Sequence, residues 1–348
     1  MSAIQSYGDI SPRTAAFAIK QLLARGIPYL VLEKFGQAYP LPTNSTRVAK
    51  FRRYFLVGST GSAGNGTGAF FIPLATTPLV EGVTPAGNKL ANQDYTVTLQ
   101  QYGDFITISD VIEDTHEDNV LKAATDVLGE QAAQTIETTR FNVLKAGVNV
   151  FRAGAGGTTV GTRALVNGPI TLGLQRSVTT SLTRQNGKPI TQIVKSTQDF
   201  RMEPVEAAFI GLAHPDLETD IRNVSGFTPT KQYGVTTPWE NEIGAVERVR
   251  YLTSTIFAPF ADAGAAGTTY RSTSGTNYDV YPILYLARDA FGMVPLKGKD
   301  SLTPMVVNPK PAPGDPLGQR GTVGWKAYQS TVILQDAWMC RLEVCSSQ

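Results

Sequence analysis

The chain has 348 residues, 42% of them hydrophobic, enough to bury a core for one elaborated domain or two ordinary ones. No apolar run reaches eighteen residues, MSAIQSYGDI lacks the order of a secretory signal, and two cysteines (Cys340, Cys345) are too few for a disulfide scaffold. A membrane span and a secreted scaffold are therefore not expected, and the thiols fit a reducing cytoplasm. The net charge of +2 conceals an asymmetry. Residues 1–60 carry eight Lys/Arg against Asp9 and Glu33, hence +6, whereas residues 101–140 carry nine acids against Lys122 and Arg140, hence −7. Such polarity suits self-association or contact with a polyanion, or two solvated surfaces that never meet.

In chain order, Ser11 and Pro12 predict the start of a short helix, as N-cap and first helical residue, with Gly26 closing it. IPYLVLEKFGQAYPLPTNSTR, with three prolines and no helical period, predicts an extended arm that needs another surface to lie on. VAKFRRYFLV (48–57) reads as a strand, and the five glycines of 58–68 as a flexible loop. DYTVTLQQYGDFITISD (94–110) reads as a second strand, with Tyr95, Val97 and Leu99 on one face. Residues 48–110 are thus expected to be two strands flanking a long excursion. The clearest helix begins at Asp118-Asn119 and ends near Gly147, roughly 40 Å long. Val120, Ala124, Val127, Gln131, Thr135 and Ile136 give its expected face.

A second helix is expected over 170–186, ended by Gln185 to Pro189. EAAFIGLAHPDLETDIRN predicts a buried strand and a short helix near Pro215, with His214 as its cap. GAVERVRYLTSTIF (244–257) reads as one strand, 261–279 as a loop, and 281–296 as an apolar strand with a turn. Residues 308–321 read as a proline-rich loop, and VGWKAYQSTVILQDAWMCRLEV is expected to close the chain as two long strands. The class is α+β, without a fixed repeat.

Chemistry is sparse. There are two histidines and no nucleophile elbow, and the glycine-rich loop lacks the Lys-Ser/Thr of a phosphate loop. Glu113, Asp114, His116 and Asp118 could be imagined as a metal set, but acids at a helix start are explained by capping and the helix dipole. No catalytic, metal or cofactor residue is assigned. Cys340 and Cys345, five apart in a strand, face opposite sides and read as buried. The basic patch Lys50 to Tyr54 could meet nucleic acid, but its small size in a strand favours acids of a neighbouring subunit.

Five segments, NSTRVAKFRRYFL, TTPLVEGVTP, LQQYGDFITISDVIEDT, HPDLETDIR and DPLGQRGTVGWK, stand in an order that resembles the major capsid proteins of tailed phages, within the N-four-type podophage group. The resemblance covers nearly the whole chain. It implies the Hong Kong 97-type fold: an N-arm (1–47), an extended loop with flanking strands (48–110), a peripheral domain (111–164) with a spine helix (119–147), an axial domain (165–321), and C-terminal peripheral strands (322–348). It implies a non-enzymatic subunit that forms hexamers and pentamers of an icosahedral shell around double-stranded DNA. The implied partners are other copies, a portal, a separate scaffolding protein, a cement or decoration protein, and the packaged DNA, with no membrane. The implied place is the virion capsid, assembled in the bacterial cytoplasm. Another virion structural protein, or an encapsulin-like cargo shell, is the alternative. Arg13, Arg47, Lys50, Arg52, Arg53, Glu113, Asp114, Glu117 and Asp118 are the expected inter-subunit or DNA contacts. Two features depart from the best-known member: no long N-terminal scaffolding segment, and a long glycine-rich excursion (58–93).

Overall fold

The computed structural model describes residues 30–44, 46–54, 78–85, 92–109, 120–194, 202–233, 238–296, 302–307, 316–317 and 319–347. The helix expected at 11–26, the glycine-rich stretch, the acidic run 110–119 and most of the 308–321 loop lie outside them. In chain order the elements are β1 (Gln37–Ala38), β2 (Val48–Tyr54), β3 (Asn92–Thr98), β4 (Gln100–Ser109), α1 (Val120–Lys145) and β5 (Val150–Arg152). Next come α2 (Leu172–Arg184), β6 (Ile190–Val194), β7 (Met202–Ala213), α3 (Glu218–Arg222), β8 (Phe227–Pro229), β9 (Glu242–Val246) and β10 (Val249–Thr253). The chain closes with β11 (Tyr281–Leu286), β12 (Phe291–Pro295), β13 (Leu302–Val307), β14 (Arg320–Ile333) and β15 (Met339–Val344).

β14 is the axis of the first sheet. β4 and β13 flank its first part, β12 pairs with its last residues, and β1 adds to β12 in parallel. The second sheet runs β5-β15-β11-β7-β10-β9-β8, with β6 also on β7. β2 and β3 form an antiparallel ribbon of their own. The second sheet is covered on both faces. α2 lays Leu174, Val178 and Leu182 against Phe209, Tyr251, Ile283, Tyr285 and Leu342. The alternate residues Ile210, Leu212, Leu252, Leu284 and Leu286 meet Phe141 and Leu144 of α1. A strand buried on both faces must be apolar throughout, which is why YPILYL of β11 shows no alternation. Each such side chain contributes roughly 1.5–3 kcal/mol relative to exposure.

α2 follows its sequence signals closely. The Thr171 hydroxyl accepts from the Leu174 backbone N–H as the N-cap. Asn186 takes a left-handed φ of 57°, and its N–H and that of Gly187 donate to Thr183 O and Leu182 O. That is the paired closure of a helix end. The His214 cap also matches, with Nδ1 accepting from the Asp216 N–H at 3.2 Å. Cys340 and Cys345 are free, buried and in different clusters, and burial pushes both thiols up to about 12.

Other expectations need correction. The buried stripe of α1 is Ala124, Leu128, Ala132, Ala133, Ile136, Phe141 and Leu144. Val127, expected inside, is 57% exposed, because the register that brings Ala132 and Ala133 onto the sheet turns Val127 outward. The single strand expected at 94–110 is two. At Leu99 the chain exchanges bonds with Arg47 and passes from the ribbon to β14. The strand expected at 244–257 is a β9–β10 hairpin, turned by Glu247 at a φ of 51°. The two halves of 281–296 lie in different sheets, as do the two final strands.

The arm segment from Leu30 to Leu41 lies on the chain's own core. Val31, Leu32, Phe35 and Leu41 are buried, and the N–H groups of Tyr39 and Leu41 donate to Met293 O and Pro295 O, both at 2.8 Å. Gly36 permits the approach, since a Cβ there would meet Phe291 Cε2 at 2.5 Å and Met293 Cε at 2.8 Å. Gly36→Ala is expected to destabilise the chain by about 1–3 kcal/mol through overpacking, read as a lower denaturant midpoint with an unchanged slope.

Candidate assembly surfaces

The β2–β3 ribbon alternates inward and outward residues. Ala49, Phe51, Tyr95 and Val97 turn in toward Leu41, Val294 and Leu334. Lys50 and Arg52 occupy the opposite, exposed face. Arg52 lies across from Asp94 in register, with Nε 2.8 Å from Oδ1, and Lys50 Nζ is 3.3 Å from Oδ2. The Arg52 hydrogen bond, with Lys50 beside it, holds Asp94 down to about 2. One acid serving these cations is thus in their own ribbon. Arg47 donates from Nε to Leu99 O at 2.9 Å and so anchors the ribbon's base. Arg53 pairs through its backbone with Gln93, and its side chain is outside the described residues. Arg13, Glu113, Asp114, Glu117 and Asp118 are also outside them.

Three polar groups on or beside α1 fix its position; Glu137 and Glu343 are buried and were not singled out by the sequence, whereas Gln131, half-buried, was expected on the helix face. Gln131 bridges the helix to its sheet, donating to Asp104 Oδ2 at 2.6 Å and accepting from Trp325 Nε1 at 3.1 Å. Glu343, fully buried, takes Arg152 at 3.1 Å, Arg163 at 2.7 Å and Arg341 at 2.9 Å. Burial opposes its ionisation, but Arg163, Arg341 and Arg152 outweigh that and hold it below the usual carboxylate range. Arg341 Nη1 also donates to Lys145 O and Gly147 O, satisfying carbonyls left open at the C-terminal end of α1.

The third group is Glu137, an acid four residues after Ala133 on the apolar stripe, which was the available signal. Its Oε1 accepts from the N–H groups of Val31 at 3.0 Å and Leu32 at 2.7 Å, pinning the arm segment to α1. Its Oε2 is buried without a hydrogen bond, 3.8 Å from Arg140 Nη1, which also reaches Glu33 at 3.5 Å. Burial pushes Glu137 up to about 7. A carboxyl raised in the folded state contributes stability that is fully present below its unfolded value near 4.5 and is lost as pH rises through about 7. The span corresponds to about 3 kcal/mol. Glu137→Gln keeps an acceptor oxygen and should flatten the stability profile across that window. Thermal unfolding over a pH series checks this, and an unchanged slope in the variant would count against it.

A family model described as phage capsid protein matches residues 93–341. No curated protein matches the sequence. Among solved structures, the chain is similar to the capsid of cyanophage P-SCSP1u, at 15% identity and a TM-score of 0.57 over 91% of this chain and 88% of that one. It is similar to the capsid of Ralstonia phage GP4, at 12% identity and a TM-score of 0.60 over 89% and 87%. The SrpI encapsulin of Synechococcus elongatus PCC 7942 shares the fold at 10% identity and a TM-score of 0.50 over 100% and 94%. The architecture is α+β, with a long helix on mixed sheets, and its class is the Hong Kong 97-type fold expected above. Because the family model spans well over half of its length, this chain belongs to the phage capsid protein family: it is a shell-building structural protein and not an enzyme.

Proposed function

We propose that this chain is the major capsid protein of an N-four-type tailed phage, closing into hexamers and pentamers around a double-stranded DNA genome. The observation that carries the reading is the β2–β3 ribbon. It is the base of a hairpin whose connecting chain runs from Phe55 to Ala91, far longer than a turn requires. On this reading 48–110 is the extended loop that overlaps a neighbour, 1–47 the N-arm, 119–147 the spine helix, 111–164 with 322–348 the peripheral domain, and 165–321 the axial domain. Contacts that join one surface to a different surface of the next copy close rings, and rings assemble into shells. A portal, a separate scaffolding protein, a cement or decoration protein and packaged DNA are the further partners proposed. Assembly takes place in the bacterial cytoplasm. The encapsulin-like reading has the SrpI likeness in its favour, but the family match favours a phage shell.

Within this reading Arg13, Arg47, Lys50, Arg52 and Arg53 on one side, and Glu113, Asp114, Glu117 and Asp118 on the other, lie at contacts between copies or with DNA. Negative-stain microscopy of the expressed chain should show closed polyhedral particles or mixed hexamers and pentamers. A stable monomer of 37.4 kDa would overturn the reading. Arg52 is unsuited to a charge test because Asp94 depends on it. Arg53→Glu is the cleaner variant and should lower the assembled fraction about tenfold at low salt, with less effect as salt rises.

A further inference from the structure

The carboxylate of Glu343 is surrounded by more positive charge than it can neutralise. Arg152, Arg163 and Arg341 all bind it. Lys145 joins the group through Phe260, whose ring lies 3.8 Å from the Lys145 ammonium and 3.5 Å from the Arg163 guanidinium carbon. Three cations therefore share one acid, and a fourth lies beside them. The nearby Asp336 is engaged elsewhere, accepting from the backbone N–H groups of Val148 and Asn149. Arg163 uses Nε and Nη2 on Glu343, and Arg152 uses Nε on Glu343 and Nη1 on Gly161 O. Arg163 Nη1 and Arg152 Nη2 thus have no acceptor among the described residues, and both side chains reach solvent, at 31% and 24% exposure. The mutual repulsion registers on Lys145, which is held below its usual value by burial, Arg163 and Arg341.

We infer that this ring is a docking site for acidic side chains of a second copy of the chain, supplied by the run Asp110, Glu113, Asp114, Glu117 and Asp118. The inference rests on the capsid reading. Three observations select this occupant. The run holds five carboxylates and no Lys or Arg over 110–118. The ring has the larger unmet charge, since Lys50 and Arg52 already share Asp94. Val148 and Leu165, on the segments that carry the ring, are 84% and 55% exposed, and apolar surface beside cations suits a protein partner better than phosphates.

Lys145→Glu tests the site in the full-length chain, because Lys145 makes no ion pair with Glu343 and donates only to Ala258 O. The variant should melt like the parent yet lose about tenfold or more of its assembled fraction, since like charges would face each other across the contact. Adding Glu113→Lys and Asp114→Lys to the same chain should recover most of the particles. Parent-like assembly of Lys145→Glu overturns the inference, as does failure of the acid reversals to restore it. Shells that form normally but hold less DNA overturn it in favour of a nucleic-acid site. If Lys145→Glu does not fold, Lys145→Gln replaces it. The salt dependence of assembly should then be shallower than the parent's, and equal slopes reject the site. A parent chain that stays monomeric under microscopy defeats the capsid reading itself and is distinct from all of these outcomes.

Discussion

A single face of one helix has to satisfy two different sheets. Ala124, Leu128, Ala132 and Ile136 of α1 pack on Val323, Trp325 and Ala327 of β14. Two turns later, Phe141 and Leu144 belong to the cluster under Ile210, Leu212 and Leu284. The helix is thus the beam between the sheets, and its small residues set how closely it lies on β14. The arm segment fills the space beside it, with Val31, Leu32 and Phe35 in the same cluster as Phe141. A shift of the helix by one residue would expose Leu128 and Ile136 and bury polar neighbours, at a cost of several kcal/mol.

The polar groups on that beam act as location pins. An apolar stripe tolerates sliding, because dispersion and hydrophobic burial are not directional. Gln131 between Asp104 and Trp325 allows one position relative to the first sheet. Glu137, on the N–H groups of Val31 and Leu32, allows one position of the arm. Arg341, on the carbonyls of Lys145 and Gly147, holds the end of the helix against β15. Breaking the Glu137 or Arg341 bonds leaves a buried donor or acceptor unpaired, which costs more than the bond itself contributes.

A subunit built this way keeps its rigid parts for itself and leaves charge at its edges. The ribbon stands outside both main sheets and reaches the core through Phe51 and Leu99. The outer face of the first sheet carries Phe105 and Met305 on strands either side of Gly324, at 64% and 48% exposure. Apolar groups of that size, together with a ring of cations that Glu343 only partly compensates, suit a chain whose working state is surrounded by copies of itself.

Much of this was readable in the residues. The α+β class, the long helix, both ends of α2, the His214 cap and the opposed cysteines follow from local signals, because capping, turn formation and side-chain alternation are decided within a few residues. The phage-capsid resemblance was readable too, as an order of segments. The contacts could not be read in this way. Val127 is as apolar as Leu128, and only the sheet beneath the helix decides which of them is buried. Nothing near Glu343 in sequence announces Arg152 and Arg163, about 180 to 190 residues away. Lys50 and Arg52 looked like a patch awaiting another subunit until strand register placed Asp94 across from them. The sequence by itself determined the main helices, the strand-forming segments and the kind of protein they build. The tertiary structure decided which charges are already paired within the chain and which keep donors unused, because pairing depends on distance in space, and chain folding sets that distance over separations that no local signal spans.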